Sequence, residues 1–485
     1  MNDPRPQTRR IAVGTAARLG GRTLGAIISL VALRQATRYF GLVQWGPITA
    51  ALAWFSVFSY IGSPGVATLT MREIARPEAD AESLFGQALG ATVAVSLVAM
   101  LASVAIGIPL YWGREPTLTM VLILALGVPL FGLFLTSGAV LVGRGRSGAR
   151  SLLDLESSVF LLLATLLVVA LHLRSRGYAD AYLGSVAASA LIALALAVYS
   201  VRPRLRVARD QVVSVLRRSF PLGQFDLLAV VYARADSVML FFITGDRAVA
   251  LYGVAFQVAI FLFALPAMLS NVLLPDFMTA DAEQRTFLAR RALDVILTVA
   301  VPLPIFGVLF ARPFIVWLTS PDFAAAGPLL AILTGASALA LVNGYLFQIA
   351  VFAGAEKGLW RAVGAATVAN LTANAIAVTL WGATGAAVVM IFSEALGLIM
   401  YWRIYRSRMP SPLGRRYPLS VLAASAGLLA IWSGLHAGVG LQTGTGIGIV
   451  PRVMVLIAVY LALVWCVATA ARRLATQRAP SPLGD

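Results

Sequence analysis

Apolar runs, each broken by a few polar or glycine positions, recur along the whole chain. Each reaches about the 20 residues that a helix needs to cross a bilayer. Fourteen are readable, at about 11–33, 41–62, 84–110, 118–141, 152–171, 178–200, 219–243, 248–275, 291–311, 325–352, 360–380, 382–402, 418–436 and 451–471. The connections are short and none could hold a soluble domain. The pattern predicts an all-α polytopic membrane protein. The segment 219–243 stands out, because it is apolar enough to span and still carries Asp226, Arg234 and Asp236. A charge near the middle of a spanning helix costs roughly 2.5–3.5 kcal/mol on insertion scales, so such residues face a polar cavity or a partner. Just before it, 201–218 is the most basic stretch of the chain.

An internal repeat divides the pattern. Gly143, Arg146 and Arg150 recur at the same spacing as Gly354, Lys357 and Arg361, and Trp45-Gly46 recurs as Tyr252-Gly253. The expected organisation is a six-helix lobe over 1–200, a basic cytoplasmic linker over 201–218 and a second six-helix lobe over 219–402. The remainder, 403–485, holds a cytoplasmic loop, two further helices and a cytoplasmic tail. An even number of helices per half gives parallel repeats, with a central cavity between them as the expected substrate route.

Composition agrees, with 59% hydrophobic and 12% charged residues. The net charge of +17 does not imply nucleic acid, because the basic residues sit in short loops between apolar segments. With the N-terminus placed in the cytoplasm, 27 of the 38 Lys and Arg fall on the inner side, eight fall outside and three (Arg18, Arg22 and Arg234) lie within spans. That bias predicts both termini in the cytoplasm of a plasma or inner membrane protein. The basic start MNDPRPQTRR has no small-residue cleavage site after a short apolar core, so the first helix reads as a retained anchor. The single cysteine, Cys466, excludes a disulfide framework, and His172 and His436 make no metal spacing. No GxxxxGK[ST] loop occurs, so no phosphate-cradling ATPase is expected and any energy comes from an ion or substrate gradient.

Arg18 and Arg22 are four apart and share one helical face, while Gly14, Gly21 and Gly25 keep that helix slim. Guanidinium forks match phosphate or pyrophosphate oxygens, so these two and Arg234 are the candidate anion-binding residues. Arg234 and Asp236 point to nearly opposite faces, and Asp226 lies between them in azimuth. Two readings stand for these three: pairing with neighbouring helices, or Arg234 facing substrate with an aspartate, Asp236 ahead of Asp226, as the site of Na+ or H+ coupling. Asn370 and Asn374 share a face with Thr367, and Glu394 sits mid-span; buried oxygens of this kind suit a hard cation, a proton relay or interhelix hydrogen bonding. Asn343 and Gln348 are weaker candidates of the same type.

The layout resembles the polysaccharide flippases of the multidrug/oligosaccharidyl-lipid/polysaccharide exporter superfamily. The likeness is carried by the arginine-bearing first helix, the turn from Tyr39-Phe40-Gly41 through Trp45-Gly46, and GSPGVATLTMREIAR at 62–76. It continues through RADSVML from Arg234 and LYGVAFQVAIFLFALPAMLSNVLLP from Leu251. Ser63 departs from the acidic residue that such flippases often place before the glycine, so no role for that acid carries over. Fourteen helices also resemble the lipid II flippase branch, whereas the superfamily's drug exporters typically have twelve.

The resemblance implies alternating access without catalysis. A polyprenyl-diphosphate-linked oligosaccharide would place its head group in a cationic cavity while its tail stays among membrane lipids. The two fused halves point to a functional monomer, with other polysaccharide-assembly membrane proteins as expected partners. A cation-coupled drug exporter would need acidic residues to dominate the cavity, against Arg18 and Arg22. A membrane glycosyltransferase or polymerase would need catalytic carboxylates in a sizeable loop, and the chain has none.

Overall fold

The computed structural model describes residues 5–263, 282–352, 355–407 and a few positions between 421 and 460, the side chains of 5–20, 22–23, 225–226, 262–263, 282, 352 and 356–357 excepted. Every element of four residues or more in that part is an α-helix: α1 (Arg5–Ile61), α2 (Val66–Ile74), α3 (Ala81–Leu110), α4 (Thr117–Ala125), α5 (Gly127–Gly143), α6 (Ser147–Ala170) and α7 (Ser175–Ser200). There follow α8 (Arg209–Thr244), α9 (Asp246–Phe263), α10 (Ala282–Ala300), α11 (Leu303–Leu318), α12 (Ala326–Phe352) and α13 (Glu356–Arg406). Eight stretches of described helix are long and apolar enough to cross a membrane, nine if α4 and α5, bent by 41° at Leu126, count as one.

Three of those stretches are interrupted. Gly41 breaks α1 with φ 64° and ψ −178°, and Gly382 breaks α13 with φ 56° and ψ −134°. Only glycine visits such backbone at little cost, so one residue replaces a loop between consecutive segments. The expected pairs 11–33 with 41–62 and 360–380 with 382–402 thus meet at single-residue joints. The expected segment 291–311 is instead divided at Val301–Pro302, where the proline starts α11 and cannot donate a hydrogen bond to the turn before it. The segments 418–436 and 451–471, and the end of 248–275, lie outside the described residues.

The basic stretch 201–218 is a connector only as far as Ala208. From Arg209 it is helical and runs without a gap into the span. The Gln211 side chain starts that helix by accepting from the Ala208 N–H at 3.1 Å. The stretch is also pinned: Arg204 pairs with Asp80 at 3.0 Å and Glu82 at 3.5 Å, and Arg218 pairs with Glu73. These pairs are exposed and individually weak, but they fix where the basic charge lies.

Contacts group the chain into two compact units, Met1–Gly253 with Thr367–Ala386, and Val254–Ala366 with Ala387–Asp485. In the first, small residues let helices approach closely. Gly21 and Gly25 of α1 lie against Ser151 and Ser158 of α6, and Gly62 against Ser96 of α3. Thr92 and Thr136 share a hydrogen bond of 2.7 Å between α3 and α5, and Trp54 donates to Ser103 at 3.0 Å. Gly65, with φ 70°, meets the backbone of α8 at Ser219 and Gly223 so closely that neither glycine has room for a side chain. The GSPG turn therefore docks onto the start of the charged span.

The second unit packs Leu293 and Ile296 of α10 against Leu341 and Tyr345 of α12 and Tyr405 of α13. Tyr345 donates its hydroxyl to the Ala289 carbonyl at 2.8 Å, and Trp402 stacks on Tyr405 at 5.9 Å.

Candidate functional site

The charged span α8 places Arg234 and Asp236 as the helical wheel requires, on opposite sides. Asp236 is buried, 2% exposed, and its carboxylate is held from two helices. Oδ1 accepts from the Ser237 N–H at 2.6 Å and the Ser237 hydroxyl at 3.2 Å, and Oδ2 accepts from the hydroxyl of Tyr252 on α9. A buried carboxylate is tolerated only when hydrogen bonds replace its water, and these three do so. Tyr252 is a partner that sequence reasoning missed; in an apolar run its hydroxyl leaves no periodic mark.

Arg234 is half-buried and lies in electrostatic reach of Tyr182, Tyr60 and Tyr252 as well as Asp236. Tyr182 and Tyr60 belong to a run of rings on α1, α5 and α7. Phe55 meets Tyr182 at 5.8 Å and Phe131 at 6.2 Å, and Tyr60 meets Phe131 at 5.6 Å, mostly edge to face. Tyr178 continues the run to Phe40 and Trp45. Arg234 thus has phenol groups and a carboxylate within electrostatic reach in an otherwise apolar surround. Arg18 and Arg22 lie on one face of α1, and Asp226 lies in α8; their side chains are outside the described residues.

The other candidates fall into two groups. Asn374 donates to Asn370 Oδ1 at 3.1 Å inside the first unit, both are almost fully buried, and Asn374 Oδ1 has no partner among the described residues. Thr367 is buried on the same face of α13. Glu394 belongs to the second unit, where Asn343 of α12 donates to its Oε2 at 2.7 Å and its carbonyl at 2.8 Å. Asn343, a weaker candidate by sequence, is thus the clamp that ties α12 to α13. Gln348 is half-buried and contributes nothing to that clamp.

No group of three or more His, Cys, Asp or Glu able to hold a metal occurs among the described residues. The second unit also contains a hollow of about 530 Å³ with apolar walls, including Pro302, Phe306, Phe310 and Phe314. Glu156 of α6 is among the acids within spans that the sequence reading did not single out; it accepts from Ser189 of α7 at 3.4 Å.

Comparison with known proteins adds family and fold. Residues 37–328, more than half of the chain, match the family described as "Polysaccharide biosynthesis protein". The structure is similar to that of the lipid II flippase MurJ in an inward closed conformation, with TM-score 0.74 and 14% identity over 93% of this chain and 98% of that one. It is also similar to an inward-facing multidrug resistance MATE transporter of the MOP superfamily, with TM-score 0.58 and 16% identity over 81% of this chain and 98% of that one. The MATE multidrug transporter DinF-BH gives TM-score 0.61 at 15% identity over 82% of this chain and 95% of that one. A search of curated proteins gives no match. At these identities the structural likeness speaks for the fold alone, which is the one these transporters share.

Proposed function

The chain belongs to the polysaccharide biosynthesis protein family, and from that membership we propose a flippase that moves a polyprenyl-diphosphate-linked oligosaccharide from the cytoplasmic to the outer leaflet. The observation that carries this reading is Arg234, a guanidinium held within a spanning helix among tyrosines. With Arg18 and Arg22 on one face of α1, the charge embedded in that helix is net positive near the expected route. Such a surface attracts a diphosphate and repels an organic cation. The apolar hollow of the second unit gives a prenyl chain a place to lie. The lobes 1–200 and 219–402 would alternate between two openings, with the protein acting as a monomer in a plasma or inner membrane.

Coupling to Na+ or H+ is assigned in this proposal to Asp236, with Asp226, Asn370 and Asn374 as further oxygen donors. In support, Asp236 is buried behind only neutral hydrogen-bond donors, and Asn374 Oδ1 is buried without a partner among the described residues. Glu394 is already engaged with Asn343 and is the weaker candidate.

Proteoliposomes carrying a fluorescent polyprenyl-diphosphate oligosaccharide test the assignment. The wild type should expose the head group to an external quencher or lectin, and Arg234→Ala and Arg22→Ala should each slow this at least tenfold, the effect of losing about 1.4 kcal/mol of differential binding. Wild-type protein that moves no lipid-linked sugar but exports organic cations would make it a drug exporter instead.

A further inference from the structure

A hollow of about 190 Å³ opens inside the first unit among α1, α5, α6 and α7, and nothing proposed above uses it. Its polar wall consists of serines: Ser29 from α1, Ser157 and Ser158 from α6, Ser185 and Ser189 from α7. Its apolar wall includes the rings of Phe131, Phe134 and Tyr182.

The hydrogen bonds behind the serines decide what the wall can offer. Ser157 and Ser158 reach the Asp154 carbonyl at 2.9 and 3.2 Å, and Ser185 reaches the Tyr182 carbonyl at 2.7 Å. A carbonyl only accepts, so these three hydroxyl hydrogens are committed away from the hollow. Ser158 having spent its hydrogen, the 3.3 Å contact between Ser29 and Ser158 has Ser29 as donor. Ser189 donates to Glu156 Oε1. All five hydroxyl oxygens therefore keep lone pairs and no hydrogen for a guest. Back-bonding of a serine to its own helix is ordinary for Ser157, Ser158 and Ser185 taken singly. It does not explain why five from three helices surround one hollow.

A wall of acceptors selects a guest rich in donors. A bare cation would need its oxygens to converge at about 2.3–2.6 Å, and this hollow is too roomy and too aromatic for that. Its volume corresponds to about six waters at roughly 30 Å³ each. One hydroxylated ring fits better, with donors at its edge for the serine oxygens and carbon faces for the rings. We propose that this hollow is a subsite for a single sugar ring, its hydroxyls donating to Ser157, Ser158, Ser185 and Ser189 and its face lying on Phe131 or Tyr182. That the ring belongs to the carried head group rests on the flippase reading; the recognition chemistry does not.

The test is direct titration of the full-length protein in nanodiscs with glucose, N-acetylglucosamine and glucuronate, and separately with NaCl, followed by calorimetry and thermal unfolding. At least one of the sugars should bind, and the double variant Ser157→Ala/Ser185→Ala should weaken it about tenfold, as expected for two lost hydrogen bonds. Ser185→Leu, which fills the hollow, should abolish binding without lowering the unfolding temperature by more than a few degrees. No binding by any of the three sugars, unchanged affinity in both variants, or a response to Na+ alone that the serine variants remove would each overturn the subsite. Wild-type translocation without sugar binding would sink the subsite and leave the flippase standing. Serine-dependent sugar binding without translocation would do the reverse.

Discussion

The hydroxyl of Tyr252 on α9 closes the last open side of the Asp236 carboxylate on α8. Two helices that follow each other through a single turn at Gly245 are thereby joined inside the membrane. Tyr252→Phe removes one donor and leaves a buried carboxylate oxygen without a partner, which should cost about 1–3 kcal/mol. Thermal unfolding in detergent reads that loss. If Asp236 is the coupling residue, the same variant should also shift the ion concentration that half-activates transport, and Asp236→Asn should remove the ion dependence. An Asp236→Asn protein that kept its full ion dependence would move coupling elsewhere.

Asn343 and Glu394 make a second clamp with a different expected signature. Asn343→Ala removes this donor from the half-buried Glu394 side chain, at a cost of about 1 kcal/mol. Glu394→Gln still offers a side-chain oxygen to Asn343 and should cost less than half as much. Parallel melting curves of the two variants check the order, and an inverted order would show that the carboxylate charge, not the hydrogen bond, matters here.

Gly65 and Gly223 face one another where backbone meets backbone. A Cβ at Gly223 would overlap Pro64 and Gly65, so Gly223→Ala should reduce folded, monodisperse protein severely, beyond the about 1–3 kcal/mol usual for overpacking. Gly364→Ala is the control, because nothing lies within 4 Å of its added methyl and alanine is the better helix former. Size-exclusion yield separates the two.

Tyr111 at the end of α3 is packed between Trp54, Phe241 and Phe242, and its hydroxyl has no partner among the described residues. Arg114 lies over the same two phenylalanine rings at 5.2 and 5.0 Å. Tyr111→Phe should therefore be neutral or stabilising by up to about 1 kcal/mol. Arg114→Ala should cost about 1 kcal/mol through the lost ring contacts. Unfolding temperatures of both variants test this, and a Tyr111→Phe protein that melts well below wild type would refute the unpartnered hydroxyl.

Most spans were legible because an apolar run between polar ends admits few other readings. The segment 152–171 starts with Leu152 and the helix with Ser147, five residues apart; 178–200 and α7 end together at Ser200. Where the sequence misled, local chemistry had been outvoted. The basic 209–218 looks like a loop by charge, but it continues a helix whose far end is apolar, and helix propagation is easier than nucleation. The opposite faces of Arg234 and Asp236 follow from 100° per residue alone. The grip of Tyr252 on Asp236 does not, since it depends on how two helices rotate against each other. The serine hollow was hidden for the same reason: Ser29, Ser158 and Ser185 are unremarkable on their own helices, and only packing brings them to one wall.

The joints at Gly41 and Gly382 carry a consequence for how this chain can change length. A loop absorbs an added residue by bulging, but a one-residue joint has no slack. An insertion there turns everything that follows by about 100°. After Gly41 that rotation would carry Ile48 and Phe55 to the half-exposed places of Thr49 and Ser56, and bring polar Gln44 into the buried place of Trp45. The two glycines thus act as a register lock, behind which side chains can be exchanged one at a time while the residue count stays fixed.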